Sequence, residues 1–373
     1  MTESIYRRLQ QHFDGFPLRF PETESGVEIR LLKRLFTPEE AEIACRIKFG
    51  HWGSLESMES LEKIFKRVKK LGFTIEDVEK HLDNMVRKGA ILGTTKNGVK
   101  LYANTLLVLG IYELQVDKLT KEFLEDFYQY MREAWGVESS KVKVPQMRTI
   151  PVGIKIDHEN PIAKYDDIRV LFDQSEGPFT IINCICRQSK DLYNDPCKMT
   201  DRREVCMGFG DLAQMYIEQG WGREITKEEA LAYLKQNEEE GLIFRPGNSQ
   251  EMDFVCSCCY CCCGGIASLK KMPNPADFVL NNYTAKINED LCAGCGTCLE
   301  RCQMDAITID NNIASIDPKR CIGCGNCIIK CPTEAISLQS KDEVKVPPQT
   351  LDELYKIIAK ERRKIEEIKG ASK

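Results

Sequence analysis

Histidine is scarce in this 373-residue chain, with only His12, His51, His81 and His158. No apolar run approaches the ~20 residues of a membrane-spanning helix. The opening stretch MTESIYRRLQQHFDGF is amphipathic and lacks the apolar centre of a secretory signal, so the chain reads as cytoplasmic. A net charge of only −5 gives no overall field that would draw the chain to nucleic acid or an acidic membrane. There is no phosphate-binding P-loop, no nucleophile–base spacing of a hydrolase, and no C-x3-C-x2-C run of a radical enzyme. Apolar residues at 42% and charged residues at 29% match a globular chain, long enough for two or three domains.

Cysteine is rare in the first half and crowded in the second. Cys45 stands alone among the first 183 residues; the other 18 lie between Cys184 and Cys331. Disulfide-dense chains are usually small and exported, whereas close-set thiols in a large reduced chain point to metal. All four histidines lie outside the cysteine span, which argues against Cys/His zinc fingers and Rieske-type ligation.

The N-terminal part reads as helices followed by a hairpin. TPEEAEIACRIKFG opens with Thr37 as N-cap, Pro38 at the first helical position and Glu40 closing a capping box, with Gly50 as the stop. SLEKIFKRVKKLG is a basic amphipathic helix. TIEDVEKHLDNMVRKGA, capped by Thr74 and Asp77, places Ile75, Val78, Leu82, Met85 and Val86 on one face. Asn97-Gly98 then joins two strand-like arms. This order resembles a winged helix, a module that can bind DNA. Its third helix carries Glu76, Asp77, Glu79 and Asp83, which would repel phosphates, so packing or partner binding is the preferred reading. Residues 106–135 read as an aromatic-rich helical stretch, and 350–369 as a charged helix with Leu351, Leu354, Ile358 and Ile365 along a docking face. Segment 106–283 holds 28 acidic against 20 basic residues and supplies the chain's acidity.

The strongest motif is a duplication. Cys292, Cys295, Cys298 and Cys302 recur as Cys321, Cys324, Cys327 and Cys331, displaced by 29 residues. Each run is C-x2-C-x2-C-x3-C, and Gly294, Gly296, Gly323 and Gly325 let backbone amides approach a cluster and tune it. Two strands and a helix per repeat would cover it with Ile307, Ile309, Ile322, Ile328 and Ile336. These residues resemble the bacterial-type two-[4Fe–4S] ferredoxin domain. The resemblance implies that Cys292, Cys295, Cys298 and Cys331 hold one cluster, and Cys321, Cys324, Cys327 and Cys302 the second. The proline usual after the fourth cysteine is present as Pro332, but Gln303 stands in the other place.

Upstream lie ten more thiols: Cys184, Cys186, Cys197, Cys206, Cys256, Cys258, Cys259, Cys261, Cys262 and Cys263. Adjacent cysteines make poor disulfides, and crowded thiolates need a cation, so metal, with iron–sulfur favoured, is expected. One set is expected as Cys184, Cys186, Cys197 and Cys206, another from Cys256 to Cys263, with mixed sets equally allowed. Arg187 could hydrogen-bond a cluster or be an idle surface residue. GFGDLA (208–213) matches a dinucleotide-binding pattern, but it is read as turn glycines opening a helix, with no strand expected before it.

LFTPEEA, GIYE, CICR, GLIFRPGN and CSCCYCCC, taken with the C-terminal repeat, resemble a group of 4Fe–4S dicluster-type proteins of anaerobic bacteria and archaea. The expected architecture is α+β and multidomain. It comprises a winged-helix-like module (1–135), a cysteine-rich segment (136–283), a two-[4Fe–4S] ferredoxin domain (284–340) and a charged helix (341–373). The expected function is electron transfer through two [4Fe–4S] clusters and one or two further iron–sulfur centres, with a redox protein as partner and an oxidoreductase role left open. The alternatives are a redox-responsive DNA-binding regulator and an iron–sulfur or metal delivery protein.

Overall fold

Helix caps and turn residues set the local elements, and long-range strand pairing then sorts them into two units. The computed structural model describes residues 2–152 and 166–371. Residues 153–165 of the expected cysteine-rich segment, His158 among them, lie outside the described residues. One unit comprises 1–144, 214–222 and 351–373; the other comprises 145–213 and 223–350.

In the first unit the capping box at Thr37 and Glu40 forms as the sequence demands. Helix Pro38–Ala44 nevertheless ends well before Gly50. The buried Asn104 amide donates to the carbonyls of Ala44 and Ile47 at 2.7 and 2.9 Å, satisfying a helix end there. Strand β1 (Glu59–Ser60), helix Leu61–Val68 and helix Ile75–Arg87 follow. The last buries Val78, Leu82, Met85 and Val86, as its periodicity requires. Strands β2 (Leu92–Lys96) and β3 (Val99–Ala103) pair around Asn97 and Gly98, both at positive φ, in the sheet order β1-β3-β2.

Within 106–135 a single 3-10 turn at Glu113–Gln115 precedes the continuous helix, which starts only at Lys121. Val108 is extended and Leu109 left-handed, which breaks the front half. The tail helix Leu351–Ala371 buries Leu351, Leu354, Tyr355 and Ile358 and leaves Ile365 half-buried.

The second unit is built on a five-stranded antiparallel sheet. Its strands are β4 (Phe179–Asn183), β5 (Glu204–Phe209), β6 (Arg223–Ile225), β7 (Ile243–Pro246) and β8 (Phe254–Cys258), in the order β6-β4-β5-β8-β7. Because side chains alternate across a sheet, Ile181, Met207, Phe209, Phe244 and Val255 go to one apolar core. Helix Lys227–Glu239 adds Ala230 and Leu234 to that core. Cys206, Cys256 and Cys258 alternate with those core residues and take the other face, where Arg245 stands in register with Cys256. The expectation that no strand precedes GFGDLA is overturned: β5 runs directly into helix Gly210–Glu218. Its neighbours are antiparallel, so it is not the parallel βαβ unit that a dinucleotide fingerprint needs.

Strands β9 (Tyr283–Ile287) and β12 (Ile336–Ser340) pair with each other, as do β10 (Ile307–Asp310) and β11 (Ile313–Ile316). The first cysteine run carries a short helix, Thr297–Arg301, but the corresponding 326–330 forms turns only, so one helix per repeat is not realised. Val279, Ala285, Ile307, Ile322 and Ile336 close this core together with Ile243 and Cys258 from the large sheet.

Candidate metal centres

Each C-terminal cysteine run turns on glycines whose backbone no other residue could supply. Gly294 and Gly323 occupy equivalent places with φ of 63° and 66°. A Cβ on Gly294 would lie 2.3 Å from the Asn312 carbonyl oxygen, and one on Gly323 2.5 Å from that of Tyr283. The turns therefore close only with glycine, and the thiols are brought round two separate hollows. One is lined by Cys302, Cys321, Cys324 and Cys327, the other by Cys292, Cys295, Cys298 and Cys331. The fourth cysteine of each run thus stands with the first three of the other run.

Backbone N–H groups point at these sulfurs: Ala306 to Cys302 at 3.3 Å, Ala314 to Cys292 at 3.4 Å and Ala285 to Cys321 at 3.5 Å. Burial pushes Cys324 up to about 12 and raises Cys298, Cys302 and Cys327 above the ordinary thiol range. Thiolates there need a compensating cation, which a metal supplies. An apolar hollow ringed by four thiols, with amides directed at the sulfurs, fits an iron–sulfur cubane.

Gln303, where the usual proline is missing, is buried. Its Nε2 donates to the Gly241 carbonyl at 2.5 Å, and its Oε1 accepts the Tyr260 backbone N–H at 2.8 Å. Proline could make neither bond. Asn326 Nδ2 also donates to Gly241, at 2.8 Å. Arg301 donates to the carbonyls of Glu238 and Glu239, both at 2.9 Å, and so caps helix Lys227–Glu239 at its negative end. The sequence singled out only the missing proline; these tertiary contacts had no local signal.

The ten middle thiols divide otherwise than the first expected set. Cys197 does not join Cys184, Cys186 and Cys206. It meets Cys259, Cys261 and Cys262, and the four sulfurs all lie within 4.8 Å of one another. Cys197 is 3.7 Å from Cys259 and 3.8 Å from Cys261, while Cys261 is 3.5 Å from Cys259 and 3.7 Å from Cys262. Four sulfurs bound at 2.3 Å to one tetrahedral ion lie about 3.8 Å apart, so this quartet has the span of a single-ion site. A cubane spreads its four thiolates over four irons. Among the described residues no three sulfurs of either C-terminal quartet come mutually within 4.8 Å.

Of the other six, Cys184, Cys186 and Cys206 pack in the same cluster as the quartet, and Cys256, Cys258 and Cys263 pack against the C-terminal core. Arg187 lies between the quartet and these six and is fully buried. It donates to the Ser257 carbonyl at 3.1 Å and to Cys259 Sγ at 3.5 Å, while its Nε has no partner. Burial works against its charge, but Cys184, Cys259, Cys206 and Cys197 outweigh that and hold it protonated. A buried guanidinium favours the thiolate form of the sulfurs beside it. Cys45, the lone early cysteine, is different: burial raises it to about 11, as for an inert packed thiol.

Comparison with known families decides the C-terminal part. Residues 285–338 match the family of the 4Fe-4S dicluster domain. With the cysteine quartet, that match marks an iron–sulfur protein. Neither comparison with curated proteins nor comparison with solved structures finds a match to this chain. No described helix is long and apolar enough to cross a membrane.

Proposed function

We propose that this chain carries single electrons through two [4Fe–4S] clusters, in the manner of a two-cluster ferredoxin, to or from its cysteine-rich sheet. The observation that carries the reading is the pair of thiol-lined hollows, with Cys302 and Cys331 exchanged between the runs. Cys292, Cys295, Cys298 and Cys331 would hold one cluster, and Cys321, Cys324, Cys327 and Cys302 the other. The clusters supply the one-electron redox change. The chain holds them in an apolar shell, aims N–H groups at their sulfurs and ties Cys302 to the Cys256–Cys263 segment through Gln303. Cys197, Cys259, Cys261 and Cys262 hold one tetrahedral ion, zinc or iron, as a structural staple. The electron donor or acceptor is a redox protein in the cytoplasm of an anaerobe.

Anaerobic purification followed by iron and sulfide counting and EPR tests this. Two interacting [4Fe–4S]⁺ signals after reduction are expected. A colourless protein with zinc in the C-terminal runs would refute the reading.

A second reading has one observation in its favour: the first unit runs helix–strand–helix–helix–hairpin with a β1-β3-β2 sheet, an order that resembles a winged helix. A DNA-binding regulator would need a basic third helix. On helix Ile75–Arg87, Glu79 and Asp83 instead pair with Lys100 of β3, at 2.8 and 2.7 Å. A gel shift with oxidised and reduced protein separates the readings, and salt-sensitive, sequence-specific binding would favour the regulator.

A further inference from the structure

The six thiols outside the quartet form a closed ring. Cys184 contacts Cys186 and Cys206; Cys206 contacts Cys256; Cys256 contacts Cys258; Cys258 contacts Cys263; and Cys263 returns to Cys186. Four elements bring them together. Cys206 and Cys256 face one another across β5 and β8, and Cys258 follows two residues along the same face. Cys184 is the N-cap of helix Ile185–Leu192, which also carries Cys186, and Cys263 is the N-cap of helix Gly264–Lys271.

The ring is open. Among the described residues no three of its sulfurs lie mutually within 4.8 Å, in contrast to the neighbouring quartet. One tetrahedral ion therefore cannot collect them. Six thiolates also exceed the four that a cubane takes and fall short of the eight that two separate cubanes need.

Positive charge is arranged round the ring with part of its hydrogen-bonding capacity unused. Arg187, fully buried, leaves its Nε without a hydrogen bond beside Cys184 and Cys206. Arg245, in register with Cys256 and near Cys258 and Cys263, also has an unpartnered buried Nε. Cys184 and Cys263 each stand at the N-cap of a helix, where the macrodipole favours negative charge. Two guanidinium groups and two helix N-termini converging on six sulfurs suit an anionic core larger than the sulfurs themselves.

We propose that Cys184, Cys186, Cys206, Cys256, Cys258 and Cys263 together carry one polynuclear iron–sulfide cluster larger than a cubane. The inference rests on the reading of the chain as an iron–sulfur protein but not on the ligand assignment of the C-terminal domain.

The test uses the full chain, assembled anaerobically with ⁵⁷Fe and sulfide, and counts iron and acid-labile sulfide alongside Mössbauer spectra. Two double variants remove opposite sides of the ring: Cys206→Ser with Cys256→Ser, and Cys186→Ser with Cys263→Ser. Each is expected to lose more than about four irons per chain, with matching sulfide, because one cubane holds four. Loss of four irons or fewer in either variant, or loss of iron without sulfide, overturns the proposal.

Should a variant fail to fold, the unaltered chain still decides. Its iron must exceed the roughly eight of two cubanes, plus any single ion, by more than four; a smaller excess refutes the ring cluster. Retained C-terminal EPR signals beside an empty ring would sink this inference alone. Absent C-terminal signals beside a filled ring would sink the ferredoxin reading alone.

Discussion

The side-chain oxygen of Gln303 accepts the backbone N–H of Tyr260 at 2.8 Å, linking the residue after Cys302 to the turn that carries Cys259 and Cys261. This bond accounts for glutamine where the ferredoxin pattern has proline. Gln303→Pro would leave the Tyr260 N–H without its partner, at a cost of roughly 1–3 kcal/mol. The variant should denature at lower temperature or denaturant than the parent while keeping its C-terminal iron. Anaerobic denaturation with iron analysis checks this, and unchanged stability would contradict it.

The exchange of fourth cysteines predicts paired phenotypes. Cys302→Ala should abolish the same EPR signal as Cys321→Ala, and Cys331→Ala the same signal as Cys292→Ala. If Cys302→Ala instead matched Cys292→Ala, each run would ligate its own cluster and the assignment would fail.

At the compact quartet, Cys261→Ser should release one metal ion per chain with no loss of acid-labile sulfide, because a single tetrahedral ion carries no inorganic sulfide. Metal analysis beside a sulfide assay reads this directly. Loss of sulfide in proportion to metal would mean a cluster there instead.

Arg187 is a positioning residue between two thiol groups. Arg187→Met removes a buried charge opposing those thiolates, and a cost of about 3–5 kcal/mol is expected from leaving buried charge uncompensated. Metal content of the middle sites should fall while the C-terminal clusters persist. Arg187→Lys should rescue only in part, since an ammonium cannot reach Ser257 and Cys259 through a planar fork.

His51 links pH to stability in the first unit. Its Nε2–H donates to Asp352 at 2.9 Å, and its buried Nδ1 has no partner. Burial lowers its pKa below 6.5, with the Asp352 contact partly opposing that shift. His12 is lowered too, by burial. A depressed histidine leaves the unfolded chain binding more protons at mildly acidic pH. Stability should be level above pH ~6.5 and decline as pH falls below it. His51→Gln should shallow that decline and leave the share due to His12; an unchanged slope in denaturant titrations would refute it.

Where one turn of chain suffices, the fold was legible in the sequence. Thr37 and Thr74 cap the helices their capping boxes announce. Asn97-Gly98 makes its hairpin, and each C-terminal run bends on its own glycines. Local signals failed where a distant residue intervened. Asn104 ends the helix at Ala44, and antiparallel neighbours change the meaning of GFGDLA.

The sequence by itself determined that thiols would gather here around metal, since spacing within a run fixes which sulfurs a single turn can converge. Only the tertiary structure decided how the ten middle cysteines divide. Cys206 meets Cys256 through the pairing of β5 with β8, and Cys197 reaches Cys259 across 62 residues of chain. Strand register, set by burying Met207 and Val255 on the opposite face, chose Cys256 as the partner of Cys206.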